Sequence, residues 1–447
     1  MCKICLTILL FFSFSWQSEV FPAPTKESAN GNQDQPKKGW TFGVLPALSY
    51  NSDLGFQYGG VVNFFNFGDG STYPGYMHSL YAEVSRYTRG TGVNRLFYDT
   101  EYLVPGLRIT ADLGYYTEKA LDFYGFNGYN SLYNRDLENE SHHQYISRMY
   151  YSHERSVFRF SLDLQGSLAG SHLRWVAGAG LMNTSIAPVD VDALNEGRDE
   201  DEKLPDVPGL MERYADWGII SQEELEAGWT NYLKLGIVYD SRDNEPNPMS
   251  GIWSEAVLLA VPSFLGSEFS YSRISLTYRQ YFTLVENDLS LAYRLNYHGT
   301  VNGDVPFFML PYMIYSFSQS SNTDGLGGAR TLRGVSRNRV VGEGVVFGNL
   351  ELRWKFHRMN FFNQSLYFGL NGFVDTGRVV QKRKIDQEPG SPFFDEYSDG
   401  LEEMHTALGA GLRVAMNKNF VFGADYGMPL DKRDGNGGLY IGLNYLF

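Results

Sequence analysis

Between residues 346 and 356 the chain alternates without a break. Val346, Gly348, Leu350, Leu352, Trp354 and Phe356 fall on one face, and Asn349, Glu351, Arg353 and Lys355 on the other. A period of two is the mark of a β-strand, and an apolar face backed by a charged one suits a wall between lipid and a wet interior. The pattern recurs in sixteen segments: 41–50, 56–67, 77–89, 93–103, 107–117, 144–165, 173–183, 230–239, 252–261, 269–282, 289–298, 345–356, 365–375, 405–415, 420–428 and 439–447. The fold expected is all-β, a 16-stranded antiparallel transmembrane barrel. The segment 144–165 is long enough to be cut in two, but loop parity argues for one strand. With sixteen strands the long insertions 118–142, 185–228, 299–343 and 376–404 all lie on one side, and tight turns such as Val104-Pro105-Gly106 lie on the other.

Composition supports this wall. The chain has 48 Gly, 31 Tyr and 31 Phe, yet its one continuous apolar run is Ile4 to Trp16, behind Lys3. That run reads as a secretory leader (1–18, with the cleavage site open between about 15 and 23), not as a membrane helix. Residues 19–39 are polar and Pro-rich and are expected to be a disordered periplasmic segment; 40–447 is the barrel. Cys2 and Cys5 leave with the leader, so the mature chain has no disulfide.

The net charge of −14 is concentrated between Ser185 and Gly228, where thirteen acids face Arg198, Lys203 and Arg213. Such a balance argues against a nucleic-acid partner. It reads as a solvated surface loop, with cation binding as the sharper alternative. Ser221 and Glu224 form a capping box, so a short helix is expected at 222–227. The aromatic run Phe123 to Tyr129 is expected to pack as a lid rather than bind a ligand. No G-x-S-x-G, H-E-x-x-H or metal-ligand spacing occurs, so neither an enzyme nor a cofactor or metal site is expected.

A sixteen-strand lumen is wide enough to hold water, and something should fill it. Gly327, Gly328 and the pair Arg333-Gly334 form a loop suited to close backbone approach. This loop, between strands 11 and 12, is expected to fold inward. Alternation turns Glu351 and Asp375 into the lumen, so Arg333 can be clamped between them. The same spacing also allows three independent lumen-lining groups. Pro46 lacks an N–H inside the first strand and weakens one of its sides. On the last strand, Leu439, Ile441, Leu443 and Tyr445 are expected to face lipid, ending at Phe447.

Three motifs carry a family resemblance. Leu332-Arg333-Gly334-Val335, Tyr239-Asp240-Ser241-Arg242-Asp243 with Pro248-Met249-Ser250-Gly251, and Phe373-Val374-Asp375-Thr376-Gly377 resemble the signatures of the BamA/TamA-type outer-membrane assembly barrels (bacterial surface antigen domain). Tyr440-x-Gly442-x-x-Tyr445-x-Phe447 resembles the terminal signal of such barrels. The resemblance implies a lumen clamp at Arg333, Gly334, Glu351 and Asp375. It also implies a periplasmic turn at Asp240, Arg242, Asp243, Pro248 and Gly251, and a lateral seam involving Pro46, Gly442, Tyr445 and Phe447. Where relatives carry an aromatic after Arg-Gly, this chain has Val335, and no POTRA domain is expected ahead of the barrel, as in POTRA-less branches. The function implied is insertion or export of proteins at the outer membrane. Lipids, unfolded outer-membrane proteins and accessory lipoproteins are the implied partners. The alternative is a gated or passive pore with the inward loop as constriction.

Overall fold

The computed structural model describes residues 37–447 apart from 72, 74, 169–171, 246, 317–323, 362–363, 389, 401, 417–419 and 444. The expected leader and nearly all of 19–39 lie outside the described residues.

Among these residues sixteen strands close into one barrel. β1 is Trp40–Pro46 continued in register by Ser49–Asn51. There follow β2 Gly55–Asn66, β3 His78–Tyr87, β4 Gly92–Val104, β5 Leu107–Asp122, β6 Ser152–Ser167 and β7 Leu173–Ala187. Then come β8 Tyr232–Asp240, with the short Gly228–Trp229 ahead of it, β9 Gly251–Val261, β10 Tyr271–Val285 and β11 Leu289–Gly303. The last five are β12 Gly344–Phe361, β13 Gln364–Gln381, β14 His405–Met416, β15 Phe420–Pro429 and β16 Gly438–Leu443. Each pairs antiparallel with its chain neighbours, and β16 returns to β1. The alternation read in the sequence is the inside–outside alternation of the wall. Leu350, Leu352 and Trp354 are 44–51% exposed on the outer face, while Glu351 and Arg353 are at most 1% exposed.

Several strand ends differ from the expected segments, most of all the start of β6. The segment 144–165 is a single strand, but it begins at Ser152. Residues 144–151 belong instead to a domed cap over the loop rim, because Tyr150 and Tyr151 are wholly buried there. The dome has an apolar core gathered from four loops. Phe123, Phe126, Tyr150 and Tyr151 meet Tyr214 of α2 (Leu210–Asp216), Phe307 to Leu310, and Phe393 with Tyr397. Edge-to-face pairs such as Phe123–Tyr214 at 5.3 Å lock it, a geometry that aromatic quadrupoles favour. The run Phe123 to Tyr129 is thus part of a lid.

The acidic loop is mostly exposed but is not merely solvated. α1 (Val191–Asn195) and α2 were not foreseen; α3 is Gln222–Glu226, capped by Ser221 and Glu224 and stopped by Ala227 at φ 56°. Glu224 is buried, accepts the Phe307 N–H at 2.8 Å and pairs with Arg383 at 2.8 Å. A second tie sits at the rim. His405 lies between Asp434 (2.5 Å) and Glu402 (3.2 Å) and stacks on Tyr129 at 3.8 Å.

Candidate functional site

The return loop before β12 turns into the barrel, and its glycines explain how. Gly327 adopts φ 114°, and a Cβ there would stand 1.9 Å from the Ser336 carbonyl. Gly334 adopts φ 100° and lies against the backbone of Gly427 on β15, which also has no Cβ. Backbone meets backbone at this point, so any side chain on either partner would hold the loop off the wall. The Gly334 N–H donates to the Tyr440 hydroxyl on β16 at 3.1 Å. Val335 is fully buried among Leu332, Phe347 and Ala407, so the smaller residue after Arg-Gly is well enclosed.

Arg333 is 1% exposed and meets both acids that alternation had turned inward. Its Nε and Nη2 donate to Asp375 at 2.8 and 3.0 Å, and its backbone N–H to the same carboxylate at 3.0 Å. Nη1 lies 2.6 Å from Glu351 and 3.1 Å from Asp425. The guanidinium also stacks over Phe373 at 3.5 Å. Asp425 is a third clamp acid, and two further arginines complete the network. Arg353 pairs with Glu351 at 2.8 Å, and Arg413 with Asp425 at 2.7 Å. Three cations therefore balance three carboxylates, which is how charge survives in so dry a place. Asp425 and Arg413 carried the same signal as the rest, since alternation on β14 and β15 turns both inward. Higher on the loop, Arg337 pairs with Glu118 and Asp324, while Arg339 donates to the Gly128 and Ser131 carbonyls at 3.0 Å each. The loop thus ties the wall to the dome.

At the turn rim, Asp240 and Arg242 form a bidentate pair at 2.9 Å. Asp243 accepts the N–H groups of Met249 and Ser250, Pro248 is buried, and Gly251 (φ 102°) lets the chain pass the Ser241 carbonyl. The turn is stapled by its own side chains.

The seam is the weakest joint of the wall. Among the described residues β1 and β16 pair only at Asn51–Tyr440 and Tyr50–Ile441, with Ser52 bonded to Leu439 just above. Ala47 donates to Gly59 on β2, and successive strand N–H groups point to opposite sides. The N–H that Pro46 lacks is therefore one that would face β16. Continuing the register places Pro46 opposite Tyr445, where no pairing forms. Gly442 lies on β16 just past the last pair, opposite Gly423 of β15.

Tyr445 and Phe447 correct the expected picture. They are not on the lipid face or at the seam. After Leu443 the chain leaves the sheet and turns into the lumen. Tyr445 lies 4.2 Å under Arg353 and 5.0 Å under Arg413. Phe447 sits between Arg294 and Arg353, each at 5.1 Å, and Arg353 donates to its main-chain oxygen at 2.7 Å. Strand alternation governs a side chain only while its backbone stays in the ladder, and here it does not.

A closed sixteen-strand barrel with an arginine-clamped return loop folded into its lumen is the class of fold that this site defines. The family model for the Omp85 superfamily domain matches residues 75–447, and the chain belongs to that superfamily. It is similar to the structure of BamA from Haemophilus ducreyi lacking POTRA domains 1–3, with 16% identity and a TM-score of 0.53 over 91% of this chain and 70% of that one. It is likewise similar to CdiB from Escherichia coli, with 11% identity and a TM-score of 0.53 over 92% of this chain. It spans 64% of that protein's length. None of the curated proteins compared with it matches.

Proposed function

We propose that the chain is an outer-membrane biogenesis factor of the BamA/TamA type, assisting insertion or export of proteins through its lateral seam, with no enzymatic step. The observation that carries this reading is the seam itself. A wall whose other joints are paired along most of their length is joined here, among the described residues, only at Asn51–Tyr440 and Tyr50–Ile441. The lower half of β1 then presents Trp40, Phe42 and Val44, 61–72% exposed, beside an unpaired strand edge. An unpaired edge is a template for an incoming strand. The long loops would face outward, and lipids, unfolded barrel proteins and accessory lipoproteins would be the partners. The buried aromatic dome weighs against the pore reading, in which the inward loop would be the constriction.

The test is a disulfide across the seam, Tyr50→Cys with Ile441→Cys, in a host that depends on the protein. Oxidation should abolish support of the outer membrane, and reduction should restore it, with the barrel folded throughout. Full support from the oxidised form would overturn the seam reading. Loss of support only when the loop is pinned, by Thr331→Cys with Asn349→Cys, would favour the pore.

A further inference from the structure

The clamp balances its own charge, but the wall beside it sets two arginines, Arg279 and Arg294, against the single carboxylate of Glu255. Arg279 on β10 is 6% exposed, stacks over Trp253 at 4.3 Å, and makes no hydrogen bond or ion pair among the described residues. Its Nε is buried and unpartnered. Directly across the ladder stands Arg294 on β11. Like charges facing each other on neighbouring strands repel and are ordinarily avoided. Arg294 is held by neutral partners only, the Asn349 side chain at 2.8 Å and the Arg330 carbonyl at 2.9 Å. Two more donors converge from β10 and β12. The Tyr281 hydroxyl and Arg353 Nη1 are both buried and unpartnered. Glu255, one row above, attracts Arg279 and Asp375 attracts Arg294, but neither acid reaches its arginine to form an ion pair, and Glu255 accepts instead from the Ser316 N–H at 3.0 Å and the Thr277 hydroxyl at 3.4 Å.

We infer that Arg279, Arg294, Tyr281 and Arg353 form an oxyanion-binding site in the lumen, of the phosphate class, which residues 445–447 cover. Donors reaching in from three strands suit a tetrahedral group better than a planar carboxylate, and two facing arginines suit a charge near −2. Phe447 is the cover: its ring touches Arg294 and Arg353 and lies 6.3 Å from Tyr281. When the chain beyond Leu443 returns to the sheet opposite β1, the ring leaves and the site opens. Occupancy of the site and closure of the seam are then coupled. This inference stands apart from the insertase reading, because a pore could carry the same site.

The probe is inorganic phosphate titrated into the full chain in neutral-lipid nanodiscs, followed by calorimetry at constant ionic strength with chloride and acetate as controls. Phosphate should bind the wild type weakly and Phe447→Ala at least tenfold more tightly. Arg279→Gln should lose at least tenfold in either background while keeping the heat-resistant gel mobility of a folded barrel. Phosphatidylglycerol in the disc that displaces phosphate assigns the group to a lipid headgroup; phosphate that stays bound assigns it to the free ion. Equal affinities with and without Arg279, or acetate binding as tightly as phosphate, would overturn the site. Arg279→Lys, which keeps charge but loses the fork, should recover part of the binding if the variant loss is chemical rather than structural.

Discussion

All three guanidinium nitrogens of Arg333 reach carboxylates, so its loss leaves Glu351, Asp375 and Asp425 paired only with Arg353 and Arg413. Breaking a buried pair by removing one partner costs about 3–5 kcal/mol. Arg333→Ala should therefore lower the unfolding free energy by that amount, seen as a lower denaturant midpoint at unchanged m-value, and raise amide exchange over 327–339. Arg333→Lys keeps the charge but forfeits the bidentate grip on Asp375, and should lose about 1.5–3 kcal/mol, one charged hydrogen bond's worth. Unchanged exchange in Arg333→Ala would mean that the glycine contacts alone hold the loop. Glu351 and Asp375 were legible in the sequence because alternation fixes which way a strand residue points. Asp425, Arg353 and Arg413 point the same way, but which inward groups share a height with the loop tip depends on strand stagger, which no local pattern records. The unpartnered Arg279 was hidden for the same reason: its sequence neighbours look like any half-polar strand.

At the scale of elements, β1 and the rim loops are the movable parts. Pro46 faces β16, so Pro46→Val returns one donor to the seam, worth about 0.5–1.5 kcal/mol if it is used. Amide exchange at Leu439 to Leu443 should slow in that variant, and Tyr445 should give up its place under Arg353. Exchange as fast as in the wild type would show that the lumen contacts of Tyr445 and Phe447, rather than Pro46, keep the seam short. The lid has a titrating element of its own. Glu138, which ends the single 3-10 turn Arg135–Glu138, is pushed up to about 7 by burial, against the Tyr133 hydrogen bond and Arg135, which lower it. A carboxyl whose folded value lies above its unfolded 4.5 stabilises the fold fully below 4.5, and that contribution is lost as pH rises through about 7. Glu138→Gln should thus protect residues 123–151 at pH 8 and change little at pH 4; equal protection gained at both would remove Glu138 as the cause. The lid's existence was readable in Phe123 to Tyr129, but its partners were not. Tyr214, Phe307 and Phe393 come from three other loops without periodicity, and only the closed barrel brings them together.

For the whole molecule, the two seals stand in series: the aromatic dome across the loop rim and the clamped loop inside the lumen. They are joined by Arg339, which bonds the dome carbonyls of Gly128 and Ser131 from the loop. Seals in series predict that breaking one leaves the other closed. Arg333→Ala in planar bilayers should therefore raise current little above the wild type. Tyr214→Ala with Phe393→Ala, which removes two central dome rings, should also do little alone. The triple variant should conduct as an open barrel. A pore gated by the loop behaves differently, because its outer mouth must already be open when the gate moves. Large current from Arg333→Ala alone, with the dome intact, would make the loop the sole barrier and the pore the better account of what this wall is for. If current appears only when both seals are broken, the lumen is not a route in the resting molecule. On the insertase reading proposed above, a client would then use the seam, which among the described residues pairs only at Asn51–Tyr440 and Tyr50–Ile441.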